Sequence, residues 1–89
     1  MLDVVLTSSF KKDYKRLNRS GKHEMQDLQD IVEKLANGLP FDQKHHDHAL
    51  TGNLNDCREC HIKPDWLLIY RIVGIELILV RTGSHSDLF

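Results

Sequence analysis

Six histidines and two cysteines in a chain of 89 residues are the side chains with the most chemistry to offer. His45, His46 and His48 crowd one short stretch, His61 closes the run Cys57-Arg58-Glu59-Cys60-His61, and His85 stands in Ser84-His85-Ser86-Asp87. An imidazole titrates nearest neutral pH, so it can take or give a proton in a reaction or donate its lone pair to a metal ion. Spelled CxxCH, the second of these stretches reads at face value as the attachment sequence of a c-type haem. HHDH in turn resembles a group of metal ligands.

Neither reading survives its context. The opening MLDVVLTSSFKKDYKR has only a short apolar run with Asp3 inside it, which fits neither a signal peptide nor a membrane span and predicts a cytoplasmic setting. Covalent haem attachment is expected after export, not there. The residues around the cysteines read as strand, CRECHI, followed by a Lys63-Pro64-Asp65 turn and the apolar WLLIYRI. On a strand Cys57 and Cys60 face opposite ways with Cα atoms roughly 10 Å apart, from about 3.3 Å of rise per residue. A disulfide needs less than about 7 Å. Both thiols are therefore expected as small residues in or near the core. No second cluster at a metal-site spacing completes HHDH, so no metal or other cofactor is expected, and His45 and His46 are expected to be solvated.

The elements that must position these groups follow from periodicity. With 40% hydrophobic and 28% charged residues the chain suits one folded domain spanning 1–89. LDVVLT reads as a first strand. Thr7, Ser8 or Ser9 can cap a helix carrying Phe10, Tyr14 and Leu17 on one face and ending at Gly21. A second helix from about Lys22 places Met25, Leu28, Ile31, Val32 and Leu35 on one stripe and stops at Asn37-Gly38. CRECHI, WLLIYRI and IELILVRT then form a meander with a turn at Gly74. The result is an α+β fold of order β-α-α-β-β-β, two helices packed on a mainly antiparallel sheet. The segment between Gly38 and Asn53 shows no periodicity and is expected to be a surface loop. The net charge is −1, yet FKKDYKRLNRSGK concentrates Lys11, Lys12, Lys15, Arg16, Arg19 and Lys22 on the first helix, a surface suited to RNA or to an acidic partner.

DHALTGNLNDCRECHIKPDWLLIYRI followed by ELILVRTGSHSDLF resembles the C-terminal half of the YafQ branch of the RelE superfamily, toxins of bacterial toxin–antitoxin modules. The motifs are DHxLxG, R-x-x-H-x-x-P-D-W-L-L-I-Y and R-T-G-S-H with a terminal Leu-Phe. The resemblance implies an endoribonuclease that enters the ribosomal A site, cuts translated mRNA, and is held inactive by a cognate antitoxin of ribbon-helix-helix type. Operator DNA is reached only through the antitoxin complex, and no membrane partner is implied. His48, His61, Asp65 and His85 match the family's catalytic positions, with Arg81 as phosphate clamp. RNA cleavage without metal uses the substrate's 2′-hydroxyl as nucleophile and needs a base, an acid and positive charge around the phosphate. His85 is assigned the acid role and the His61/Asp65 neighbourhood the base role. Trp66 and Phe89 offer aromatic faces on which a base can stack. The competing class is a catalytically weak binding module acting mainly through its antitoxin complex.

Overall fold

The computed structural model describes residues 1–39, the backbone of 48–49, and residues 56–88. Strand β1 (Asp3–Leu6) leads into helix α1 (Ser8–Ser20) and helix α2 (Met25–Ala36). A two-residue strand β2 (His48–Ala49) precedes β3 (Arg58–Lys63), β4 (Trp66–Val73) and β5 (Glu76–Gly83), and a single helical turn α3 (His85–Leu88) follows. The sheet order is β1-β5-β4-β3-β2. β1 runs parallel to β5 and the other neighbours are antiparallel.

The local signals act as the sequence analysis expects. Thr7 caps α1, its hydroxyl accepting from the Phe10 amide at 3.0 Å, and Gly21 closes the helix at φ 68°, a left-handed conformation that glycine adopts without a steric cost. The same Thr7 hydroxyl donates to the Val80 carbonyl at 2.8 Å, tying the start of α1 to β5. α2 begins later than the sequence suggests, at Met25, because the Glu24 carboxylate serves as its cap, accepting from the Gln26 amide at 3.2 Å.

Both helices cover one face of the sheet. Phe10 and Leu17 from α1 and Leu28, Ile31 and Leu35 from α2 pack on Cys60, Ile62, Trp66, Leu68, Tyr70, Leu77 and Leu79. Alternation along the strands sends Glu59, Leu67 and Ile69 to the opposite face, where all three are also buried. Cys57 and Cys60 are both free and buried. Burial and the Asp56 carboxylate push the Cys57 thiol up.

Two further features depart from the sequence reading. The stretch expected to be wholly loop contributes a strand, His48–Ala49, paired with Glu59 and Arg58. Two residues are too few to show alternation, so no periodic signal exists for it. The other departure is a bulge. Tyr70 pairs with Leu79 and Ile69 with Arg81, which makes Val80 an extra residue on β5. A bulge re-aims the side chains beside it, and here it lies immediately before Arg81.

Candidate active site

Four elements meet beyond the bulge. The β3–β4 turn supplies Asp65, β3 supplies Glu59 and His61, β5 supplies Arg81, and α3 supplies His85. Glu59 and His61 are two residues apart on a strand and share a face. The Glu59 Oε1 atom lies 3.6 Å from His61 Nε2, with Glu59 buried and His61 only 16% exposed at its side chain. The His61 and His85 rings stand 5.8 Å apart between centroids. His85 Nδ1 is 3.4 Å from Asp65 Oδ1, and the His85 backbone amide donates to that same oxygen at 3.4 Å. Asp65 was expected to work with His61 as base. Its contacts are instead to His85, at the ring Nδ1 and the backbone amide.

α3 exists because of a reciprocal cap. The Ser84 amide donates to Asp87 Oδ2 at 3.1 Å and the Asp87 amide donates to Ser84 Oγ at 3.2 Å, the two-way pattern that satisfies exposed amides at a helix start. Gly83 leaves room for it: a Cβ there would stand 3.0 Å from Asp87 Oδ2. The Ser84 amide holds the Asp87 carboxyl below its ordinary value of 3.8, burial opposes this, and the Ser84 side chain, Arg16 and Arg81 add to the lowering. A carboxylate with a depressed folded pKa contributes stability that is full above its ordinary range and is lost as pH falls through the folded value. Acidification below the usual carboxylate range is therefore expected to release the Ser84 amide and unwind α3 around His85. Amide exchange at Ser84 measured against pH checks this, and Asp87→Asn removes the dependence; equal exchange in both proteins at all pH values would refute the capping role.

Arg81 is held from the opposite side. Its Nε donates to Asp13 Oδ2 at 2.6 Å and its Nη2 to Asp13 Oδ1 at 3.1 Å, while the Thr82 amide donates to Asp13 Oδ2 at 3.2 Å. Asp13 reads in the sequence as the lone acid in a basic stretch. The structure makes it a buried anchor, 5% exposed, that fixes the guanidinium of a side chain still 36% exposed. Glu59 and Asp13 are the residues that sequence reasoning missed. For Glu59 a signal existed, since it lies two positions before His61 and must share its face; for Asp13 only burial reveals the role.

Trp66 does not offer a stacking face. It is 1% exposed and belongs to the core, with Nε1 donating to Thr82 Oγ1 at 3.0 Å and the His23 ring covering it at 4.6 Å. Trp66→Phe is accordingly expected to lower stability by about 1 kcal/mol, one buried hydrogen bond. Denaturant unfolding checks this. His45, His46 and Phe89 lie outside the described residues, as does the side chain of His48, whose backbone pairs opposite Glu59.

One set of side chains outside HHDH and the two cysteines could hold a metal ion. Glu59, His61 and His85 each offer a ligand atom, and these atoms lie within 4.8 Å of one another. Two imidazoles and a carboxylate suit zinc, copper or nickel. Among the described residues no helix is long and apolar enough to cross a membrane.

A meander sheet backed by two helices, with histidines and carboxylates gathered at one end beside an anchored arginine, defines a small α+β protein with a compact cluster of proton-exchanging side chains. The family described as the bacterial toxin of type II toxin–antitoxin systems, YafQ, matches residues 2–89, and the chain belongs to it. The mRNA interferase toxin YafQ of Escherichia coli K12 is 34% identical over 88 residues, 98% of this chain and 95% of that protein. Among solved structures, a copper-bound mutant toxin from Helicobacter pylori superposes with a TM-score of 0.94 at 44% identity, covering both chains in full. YafQ in the E. coli DinJ–YafQ complex superposes with a TM-score of 0.88 at 33% identity over 100% of this chain and 99% of that one.

Proposed function

We propose that this toxin is a metal-independent endoribonuclease that cuts translated mRNA on the ribosome. The observation that carries the reading is the convergence of Glu59, His61, His85 and Asp65 in one cluster. Glu59 and His61 act together as the base that removes the proton from the substrate's 2′-hydroxyl, and the oxygen then attacks the adjacent phosphorus. The departing 5′-oxygen takes its proton from His85 Nε2, which Asp65 turns towards it. Arg81, kept charged and fixed by Asp13, meets the charge that builds on the phosphate. The products are a 2′,3′-cyclic phosphate and a 5′-hydroxyl end.

A cleft of about 470 Å³ lies beside the cluster, and Arg16, Lys22 and Lys63 line it together with Asp65 and Ser84. Arg16, Lys22 and Lys63 thus offer positive charge along which the phosphates flanking the cut can run, despite a net charge of −1. The relatives named as mRNA interferases and the DinJ complex support the same reading and imply an antitoxin partner, with operator DNA reached through that complex. Trp66 plays no part at the substrate.

The reading is tested with purified protein, ribosomes and a defined message carrying one codon in the A site. Cleavage is expected only when ribosomes are present, and a 2′-deoxy sugar at the cut position is expected to abolish it. Cleavage that persists on the deoxy substrate would sink the mechanism; equal cleavage without ribosomes would sink the ribosome dependence.

A further inference from the structure

The same three side chains that the cleavage reaction uses also form the one compact set of metal donors found among the described residues. Four donors around a small transition-metal ion, each about 2.0–2.2 Å from it, stand roughly 3.4 Å from one another. Glu59 Oε1 and His61 Nε2 are already 3.6 Å apart. His85 needs only to close in, and it can: its side chain is 56% exposed, on the single-turn helix α3. Asp65 sits on His85 Nδ1, the arrangement in which a carboxylate fixes an imidazole and raises its strength as a ligand. The Helicobacter pylori toxin, similar over the whole chain, has been solved with copper bound.

We propose that a divalent transition-metal ion, copper or zinc, binds Glu59, His61 and His85 and silences the toxin. This rests on the nuclease reading above. A lone pair donated to the ion is unavailable for a proton, so an ion held by this set removes base and acid together, and it sits where the scissile phosphate must lie. The toxin then has an off state that requires no antitoxin. Asp13, Arg81 and Trp66 are not ligands, so the fold and the phosphate clamp are unaffected, and removal of the ion restores activity.

Copper(II) serves as the probe because its electron paramagnetic resonance reports its ligands. Titration of the metal-free protein with copper is expected to give one tight site whose spectrum shows two imidazole nitrogens. His85→Ala, which alters an exposed residue, is expected to lose one of them, and Glu59→Gln to weaken binding 10- to 100-fold. Ribosome-dependent cleavage should fall in step with occupancy of this site and return after chelation. A spectrum unchanged by His85→Ala would overturn the site while leaving the nuclease reading intact. Undiminished cleavage at full occupancy, or cleavage only when copper is bound, would overturn the silencing. A protein that cuts nothing with or without copper overturns the nuclease reading and the silencing with it, whereas the spectrum still decides the site.

Discussion

His85→Ala is expected to leave a folded protein that cleaves RNA about 10²- to 10⁴-fold more slowly, the range that a positioned general acid contributes. The fold survives because the imidazole is exposed and takes no part in the Ser84–Asp87 cap that forms α3. Circular dichroism and thermal unfolding check that half. The loss itself is diagnosed by changing the leaving group. A substrate with sulfur in place of the 5′-bridging oxygen expels a thiolate that needs no proton, so the variant should cut it nearly as fast as the parent protein does. If the variant remains as slow on the sulfur substrate, His85 does something other than protonate the leaving group. Asp65→Asn should reproduce a milder form of the defect, because it spares the imidazole and removes only the charge that orients it.

Asp13→Ala is expected to lower stability by about 2–3 kcal/mol and the unfolding midpoint by roughly 10–20 °C for a domain of this size. Breaking a buried ion pair costs most when the surviving partner stays buried. Here Arg81 is 36% exposed at its side chain and can recover water, while the Thr82 amide, in the core, cannot. The lost acceptor for that amide and the packing around it therefore dominate. Below the new midpoint, cleavage should fall mainly through KM, because Arg81 no longer waits in one orientation for the phosphate. Asp13→Asn keeps one oxygen for the Thr82 amide and should lose less stability but as much of the phosphate binding. If Asp13→Ala binds RNA as tightly as the parent, the guanidinium needs no anchor and the positioning role is wrong.

The helices and the meander were legible because their signals are local and repeated: Thr7 and Gly21 bracket α1, and WLLIY alternates between two buried faces. The candidate site was legible in part. His61 and His85 announce themselves by residue type, and the resemblance to the toxin family placed both. The pairing of partners was not legible. Which carboxylate meets which imidazole depends on the β3–β4 turn and on a helical turn of four residues, both decided by tertiary contacts. Asp13 passed unnoticed because a lone acid in a basic amphipathic stretch looks solvated, whereas beyond the bulge at Val80 it meets Arg81 and the Thr82 amide. Trp66 shows the reverse error, since its type suits base stacking while its position in an apolar strand puts it in the core.

The parallel pairing of β1 with β5, secured by the Thr7 hydroxyl on a carbonyl 73 residues away, has a consequence in time. A chain emerges from the ribosome in order, so β1 and both long helices appear before the strand that joins them into a sheet. Such long-range pairing slows folding because the intervening chain must close on itself first. Arg81 and His85 arrive later still. On the proposed function, a growing toxin is harmless to the message encoding it until β5 and α3 have followed, and its own topology sets the delay between synthesis and activity.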